Sequence, residues 1–189
     1  MKRVVVIGGG FAGTAVVRSL AGASELRVVL IDKKESFEFL PMLPEVLGRR
    51  MAPSDVAVPL EEYCAQYGAS FVRRRVSNLD LDSRRLTLGD NGEDMEFDYV
   101  VVATGAVTSF HGNEDARASA HRLRRLSHAT SLLEALRDPS VRRAVVVGGG
   151  YTGVEAATHL RRYAQRSGKE LEIILSEIHP TILAMRPVW

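Results

Sequence analysis

Two apolar runs of the same design mark this chain. Residues 4–7 (VVVI) and 144–147 (AVVV) each stop at three consecutive glycines and reopen as FAGTA and YTGVE. An apolar run that ends in a glycine cluster and continues at helical spacing predicts a buried parallel strand, a tight turn and a helix. The first unit places strands at residues 3–7 and 27–31 around a helix at 12–20, and Asp32 closes the second strand. The second unit places strands at 143–147 and 171–175 around a long helix at 152–166, with Gly168 as its stop and Glu177 just past the second strand.

Between the units the periodicity changes. Residues 36–46 (SFEFLPMLPEV) hold two aromatics and two prolines, and Pro41 and Pro44 argue against a continuous helix. This stretch reads either as a buried connector or as an element lining a flavin ring. Pro59 suits the first turn of a short helix over 59–66. Strands follow at 70–82, 84–90, 93–99 and 99–105, with hairpin-turn chemistry at Asp90-Asn91-Gly92. They form a β-meander inserted before a buried parallel strand, residues 100–103, which ends at Thr104-Gly105. Residues 109–120 are polar and aperiodic and mark a domain boundary. Ser127 caps a helix running to Arg137, which Asp138-Pro139 ends.

The expected class is α/β: two Rossmann-like dinucleotide-binding domains, the first a three-layer ββα sandwich with a β-meander insertion, both incomplete in this chain. In the first, Gly8 permits the turn, Gly10 lets backbone approach the pyrophosphate and Gly13 lets helix and strand pack closely. Gly148, Gly150 and Gly153 repeat these roles, so two nucleotides are implied. Free N–H groups at each helix start then face an anion. Asp32 and Glu177 stand where an acid holds ribose hydroxyls. An acid at Glu177 suits NADH and repels the extra phosphate of NADPH.

Composition adds limits. With 189 residues, 46% of them apolar, and a net charge of +2, the chain is an ordinary globular protein with a core. The arginine groups (Arg49-Arg50, Arg73 to Arg75, Arg142-Arg143, Arg161-Arg162) lack interleaved aromatics, so they read as solvated surface and no nucleic-acid partner is expected. A membrane surface stays open as a partner. Cys64 is the single cysteine, which excludes an internal disulfide and multi-cysteine metal or redox motifs, and no metal site is expected. Residues 1–3 followed by valines read as a strand start, not a leader, since the glycines cut the apolar run short. A cytoplasmic setting is expected. His111, His121, His128, His159 and His179 read as surface or packing residues.

The combination VVVIGGGFAGTA, FLPMLPEV, APSDVAVPL, FDYVVVATGA, SFHG and VVVGGGYTGVEAA resembles the N-terminal half of type II NADH dehydrogenases. The glycine motifs are common to the wider FAD/NAD-linked superfamily, whereas FLPMLPEV and APSDVAVPL point to this family. The resemblance implies a flavoprotein with two dinucleotide-binding domains that passes electrons from NADH through FAD to a membrane quinone. It divides the chain into an FAD-binding domain, residues 1–112, and the first half of an NADH-binding domain, residues 113–189.

Residue by residue, the resemblance assigns Gly8, Gly10, Phe11, Ala12 and Gly13 to the FAD pyrophosphate and Asp32 to the FAD ribose. Pro41 and Met42 go near the isoalloxazine, and Ala103, Thr104 and Gly105 to the FAD cleft. Gly148, Gly150, Tyr151, Thr152 and Gly153 take NADH, with Glu177 on its adenosine ribose. Glu155 matches an acid near the nicotinamide associated with proton movement, the catalytic candidate here; as a first-turn acid it would equally stabilise a helix. A homodimer and peripheral contact with the inner face of the membrane, made by parts beyond Trp189, also belong to the expectation. The family continues past Trp189 through the rest of both domains and the quinone end, so these residues alone are expected neither to hold FAD tightly nor to turn over NADH. Two other readings stay open: a related flavin reductase with another acceptor, such as sulfide or a ferredoxin- or rubredoxin-type carrier, and a non-catalytic truncated nucleotide-binding protein.

Overall fold

A computed structural model describes residues 1–48, 51–90 and 92–184. The chain divides into two compact units, one of Met1–Glu38 with Ala57–Val107, the other of Phe39–Val56 with Thr108–Trp189.

The first unit is built on a four-stranded parallel sheet. Its strands are β1 (Lys2–Ile7), β2 (Leu26–Asp32), β5 (Ser70–Arg73) and β9 (Tyr99–Val102), in the order β5-β2-β1-β9. Val4 to Ile7 and Val28 to Ile31 are all buried, because central parallel strands are covered on both faces. On one face, Val4, Val6, Val28 and Leu30 pack with Val17 of α1 (Phe11–Ser19) and with Leu60 and Cys64 of α3 (Leu60–Gln66). On the other, Val5, Ile7, Val29 and Ile31 pack against a meander of β6 (Val76–Asp80), β7 (Arg85–Leu88) and β8 (Glu93–Glu96) through Leu86 and Leu88, with Phe97 just beyond β8. This is the expected three-layer arrangement with its meander insertion.

The second unit holds a parallel pair, β10 (Arg143–Val147) and β11 (Glu172–Ser176), joined by α6 (Tyr151–Ser167). Gly168 ends α6 in the left-handed region at φ 64°, as the sequence predicts. α5 (Leu126–Arg137) and α6 share a core of Leu136, Leu160, Tyr163, Ala164 and Leu171.

Several local readings change. Residues 70–82 are two strands: β5 joins the parallel sheet, a kink with Arg74 N–H donating to the Val72 carbonyl at 3.0 Å follows, and β6 joins the meander. Pro41 and Pro44 leave no continuous helix but do allow helical pieces: each sits in the first turn of a separate one, a 3-10 turn Leu40–Met42 and α2 (Leu43–Leu47), where no N–H is missed. Pro59 is the N-cap of α3 and ends β4 (Ala57–Pro59), which pairs antiparallel with β3 (Ser36–Glu38). Ser127 is inside α5, whose N-cap is Arg125. The polar stretch contains a six-residue helix, α4 (Glu114–Ser119), with the Asn113 side chain accepting the Ala116 N–H at 2.9 Å.

The largest difference concerns residues 39–56, expected within the first domain. Leu43, Val46 and Leu47 lie on one side of α2 and are buried with Val56 and Ala129, against Leu126, Leu132 and Leu133 of α5 and Ala156 of α6. Packing therefore groups this segment with the second compact unit, which the chain rejoins after Val107. Asn91 of the hairpin turn, Arg49-Arg50 and Trp189 lie outside the described residues.

Candidate functional site

Each unit presents one glycine cradle at the carboxyl end of its first strand. In the first unit the turn closes through Gly8, whose φ of +108° suits glycine and whose added Cβ would meet the Ala103 carbonyl oxygen at 2.3 Å. Ala103 is held there by its N–H donating to the Ile7 carbonyl at 2.8 Å. Thr104 and Gly105, φ +71°, follow directly and are exposed, so the expected trio Ala103, Thr104, Gly105 does flank the glycine turn. Gly13 is buried in α1, and a Cβ there would lie 1.8 Å from the Gly8 carbonyl oxygen. Gly10, the N-cap of α1, faces open space: nothing lies within 4 Å of an added Cβ. Phe11 and Ala12 are the first exposed residues of the helix, and Phe11 packs edge-to-face on Phe37 with centroids 5.0 Å apart.

The second cradle repeats the backbone of the first, although an added Cβ at Gly148 would meet nothing within 4 Å where one at Gly8 meets Ala103. Gly148 has φ +106°, an added Cβ at Gly153 would lie 1.8 Å from the Gly148 carbonyl oxygen, and Gly150 again faces open space. Tyr151 and Thr152 stand exposed at the helix start where Phe11 and Ala12 stand in α1.

Asp32 and Glu177 are drawn into these turns by contacts that glycine spacing does not reveal. Asp32 Oδ2 accepts the Gly9 N–H at 2.6 Å and Oδ1 the Lys34 N–H at 2.8 Å. Glu177 Oε2 accepts the Gly149 N–H at 2.5 Å and Oε1 the His179 N–H at 3.0 Å. The backbone N–H groups of His179 and Gly149 hold the Glu177 carboxyl below the usual glutamate range. Each carboxylate oxygen keeps further acceptor capacity, enough for a pair of hydroxyls. The sequence reading missed Gly9 and Gly149; the signal was there, since both turns are GGG and each acid is followed two residues on by a bonded N–H.

Pro41 and Met42 lie in the 3-10 turn of the second unit. Glu155 is exposed in α6, and the first turn of that helix holds no acid, which corrects its expected first-turn place and removes the dipole argument for it. Of the histidines, His159 is buried, with Nε2 3.5 Å from Glu45 Oε1; His111, His121 and His179 are exposed and His128 is half-buried. Cys64 is fully buried and burial pushes its thiol up to about 11. Among the described residues no cluster of ligating side chains could hold a metal ion.

Residues 2–187 match the family described as pyridine nucleotide-disulphide oxidoreductase. The chain belongs to this family. It is 31% identical over 198 residues to a demethylphylloquinone reductase, NdbB, of Synechocystis, covering 98% of this chain and 48% of that protein. It is 29% identical over 154 residues to a sulfide-quinone reductase of Aquifex aeolicus, covering 81% of this chain and 35% of that one. In structure it resembles NDH2 of Plasmodium falciparum, solved in complex with NADH, with a TM-score of 0.84 at 16% identity over 96% of this chain and 43% of the other. That likeness bears on the fold alone. The chain spans about a third to a half of the length of these relatives.

Proposed function

We propose that this chain carries the two dinucleotide sites of an FAD-dependent NADH:quinone oxidoreductase. The observation that carries this reading is the repeated cradle, in which an acid at the end of the second strand is bonded to the middle glycine of the turn, Asp32 to Gly9 and Glu177 to Gly149. The residues fit a dinucleotide: Gly10 and Gly150 leave room beside a helix start, and each acid retains lone pairs for a ribose diol.

In this reading Gly8, Gly10, Phe11, Ala12 and Gly13 hold the FAD pyrophosphate through helix N–H groups, Asp32 takes the ribose, and Ala103, Thr104 and Gly105 line the cleft. Gly148, Gly150, Tyr151, Thr152 and Gly153 hold NADH, and Glu177 orients its adenosine ribose. Glu177 is kept ionised by its two N–H donors, so it meets a ribose 2′-phosphate with like charge and selects NADH over NADPH. FAD, when bound, supplies acceptance of a hydride and onward delivery of electrons. Pro41 and Met42 we assign to the flavin surroundings and Glu155 to proton handling near the nicotinamide.

The quinone acceptor follows from the relatives, which include the demethylphylloquinone reductase and plant mitochondrial alternative NAD(P)H-ubiquinone oxidoreductases. No helix among the described residues is long and apolar enough to cross a membrane. We propose a cytoplasmic protein in peripheral contact with the membrane that holds its quinone. Sulfide as an electron donor finds no accessible thiol among these residues, since Cys64 is buried and protonated.

Titration of the 189-residue chain with FAD and NADH, followed by flavin fluorescence and saturation-transfer NMR, tests this. Weak, reversible binding of both is expected, with FAD lost in Asp32→Ala and NADH lost in Glu177→Ala. Loss of neither in the matching variant would overturn the assignment, and a stoichiometric yellow protein oxidising NADH would overturn the expectation of weak binding.

A further inference from the structure

At the amino end of the first unit's sheet, about 16 Å along β1 from the glycine turn at ~3.3 Å per residue, lies a pocket of about 500 Å³. Arg3 on β1 and Arg27 on β2 are register partners, so two guanidiniums line it from adjacent strands, and Arg85 of β7 adds a third. Like charges directly opposite across a strand pair repel, and nothing in packing requires them. Two of the three are answered. Arg85 donates to Glu96 Oε1 at 2.7 Å and Arg3 to the Glu96 carbonyl at 2.8 Å. Asp94, also at the pocket, accepts from the Thr87 hydroxyl at 2.9 Å. Arg27 makes no side-chain hydrogen bond or ion pair among the described residues.

Part of the lining is different in kind: Val29, Val72 and Met95 contribute apolar surface to the same pocket. Three arginines against Asp94 and Glu96 leave one positive charge, which a monoanion neutralises and a phosphate dianion overshoots. A guanidinium fork matches a carboxylate in two parallel hydrogen bonds. We propose that this pocket binds a small monocarboxylate, its head on Arg27 and Arg3 and its short apolar body on Val29, Val72 and Met95. The site is separate from the dinucleotide cradle, which sits at the other end of the same strands.

Equilibrium dialysis of the 189-residue chain against labelled hexanoate, at constant ionic strength, reads this directly. Saturable uptake of one hexanoate per chain is expected, at least tenfold weaker in Arg27→Ala, weaker in Met95→Ser, unchanged in Asp32→Ala and not displaced by equimolar inorganic phosphate. Circular dichroism checks the fold of each variant, and Arg27→Gln replaces Arg27→Ala should the latter misfold. Absence of saturable uptake, equal uptake by the Arg27 variant, or equal displacement by phosphate would each overturn the proposal.

Discussion

Glu177 accepts the backbone N–H of Gly149 at 2.5 Å, and 140 positions earlier the turn glycine Gly9 donates to Asp32 at 2.6 Å in the same way. The acid at the end of the second strand is therefore part of the glycine turn before any ligand arrives. Its carboxylate is oriented by the fold, which lowers the ordering cost of binding a diol.

This has a pH consequence in the second unit. Donation from His179 and Gly149 lowers the Glu177 carboxyl from its ordinary 4.5. A carboxyl that titrates lower folded than unfolded contributes stability that is complete above the unfolded value and lost as pH falls through the folded one. Urea unfolding should show stability declining below about pH 4.5, and Glu177→Gln should flatten that part of the profile while leaving its shape above pH 6 unchanged.

The glycines separate packing from binding. Gly13→Ala and Gly153→Ala each drive a Cβ into a backbone carbonyl at 1.8 Å, so both should cost about 3 kcal/mol or more in unfolding experiments. Gly10→Ala meets nothing within 4 Å and should cost no more than about 1 kcal/mol as a poorer N-cap. Its effect should appear in FAD titration, because the methyl occupies space left for the pyrophosphate.

Gly48 at the end of α2 gives a clean coupling test within the second unit. Its φ of −70° accepts any residue, yet an added Cβ would lie 2.4 Å from His159 Nδ1. Gly48→Ala should destabilise by about 1–3 kcal/mol. In a His159→Ala background the same change should be neutral, and a double-mutant cycle by thermal melting measures the difference.

Cys64 should be silent in the folded protein. Buried and with its thiol raised to about 11, it is almost wholly protonated at pH 8. A thiol reagent should modify far less than one thiol per chain in native buffer and one in denaturant.

The parts of this fold set by short-range constraints could be read from residues alone. Val4 to Ile7 and Val28 to Ile31 are apolar throughout because central parallel strands are buried on both faces, and Gly8 and Gly148 sit where a positive φ is needed. Gly168 stopping α6 is equally local. Residues 70–82 are different: they were legible as strand, but that the first part leaves the local hairpin of β6 and β7 to join β2 depends on a partner roughly forty residues back in the chain.

The sequence by itself determined two repeated strand-glycine-helix units, each with an acid, because turn sterics and hydrophobic periodicity act within a few residues. Only the tertiary structure decided that Leu43, Val46 and Leu47 pack with α5 and α6, since a short amphipathic helix can bury its face against any apolar neighbour. Only it brought the Gly9 and Gly149 N–H groups onto Asp32 and Glu177, and set Arg27 beside Arg3, because strand register is a long-range property.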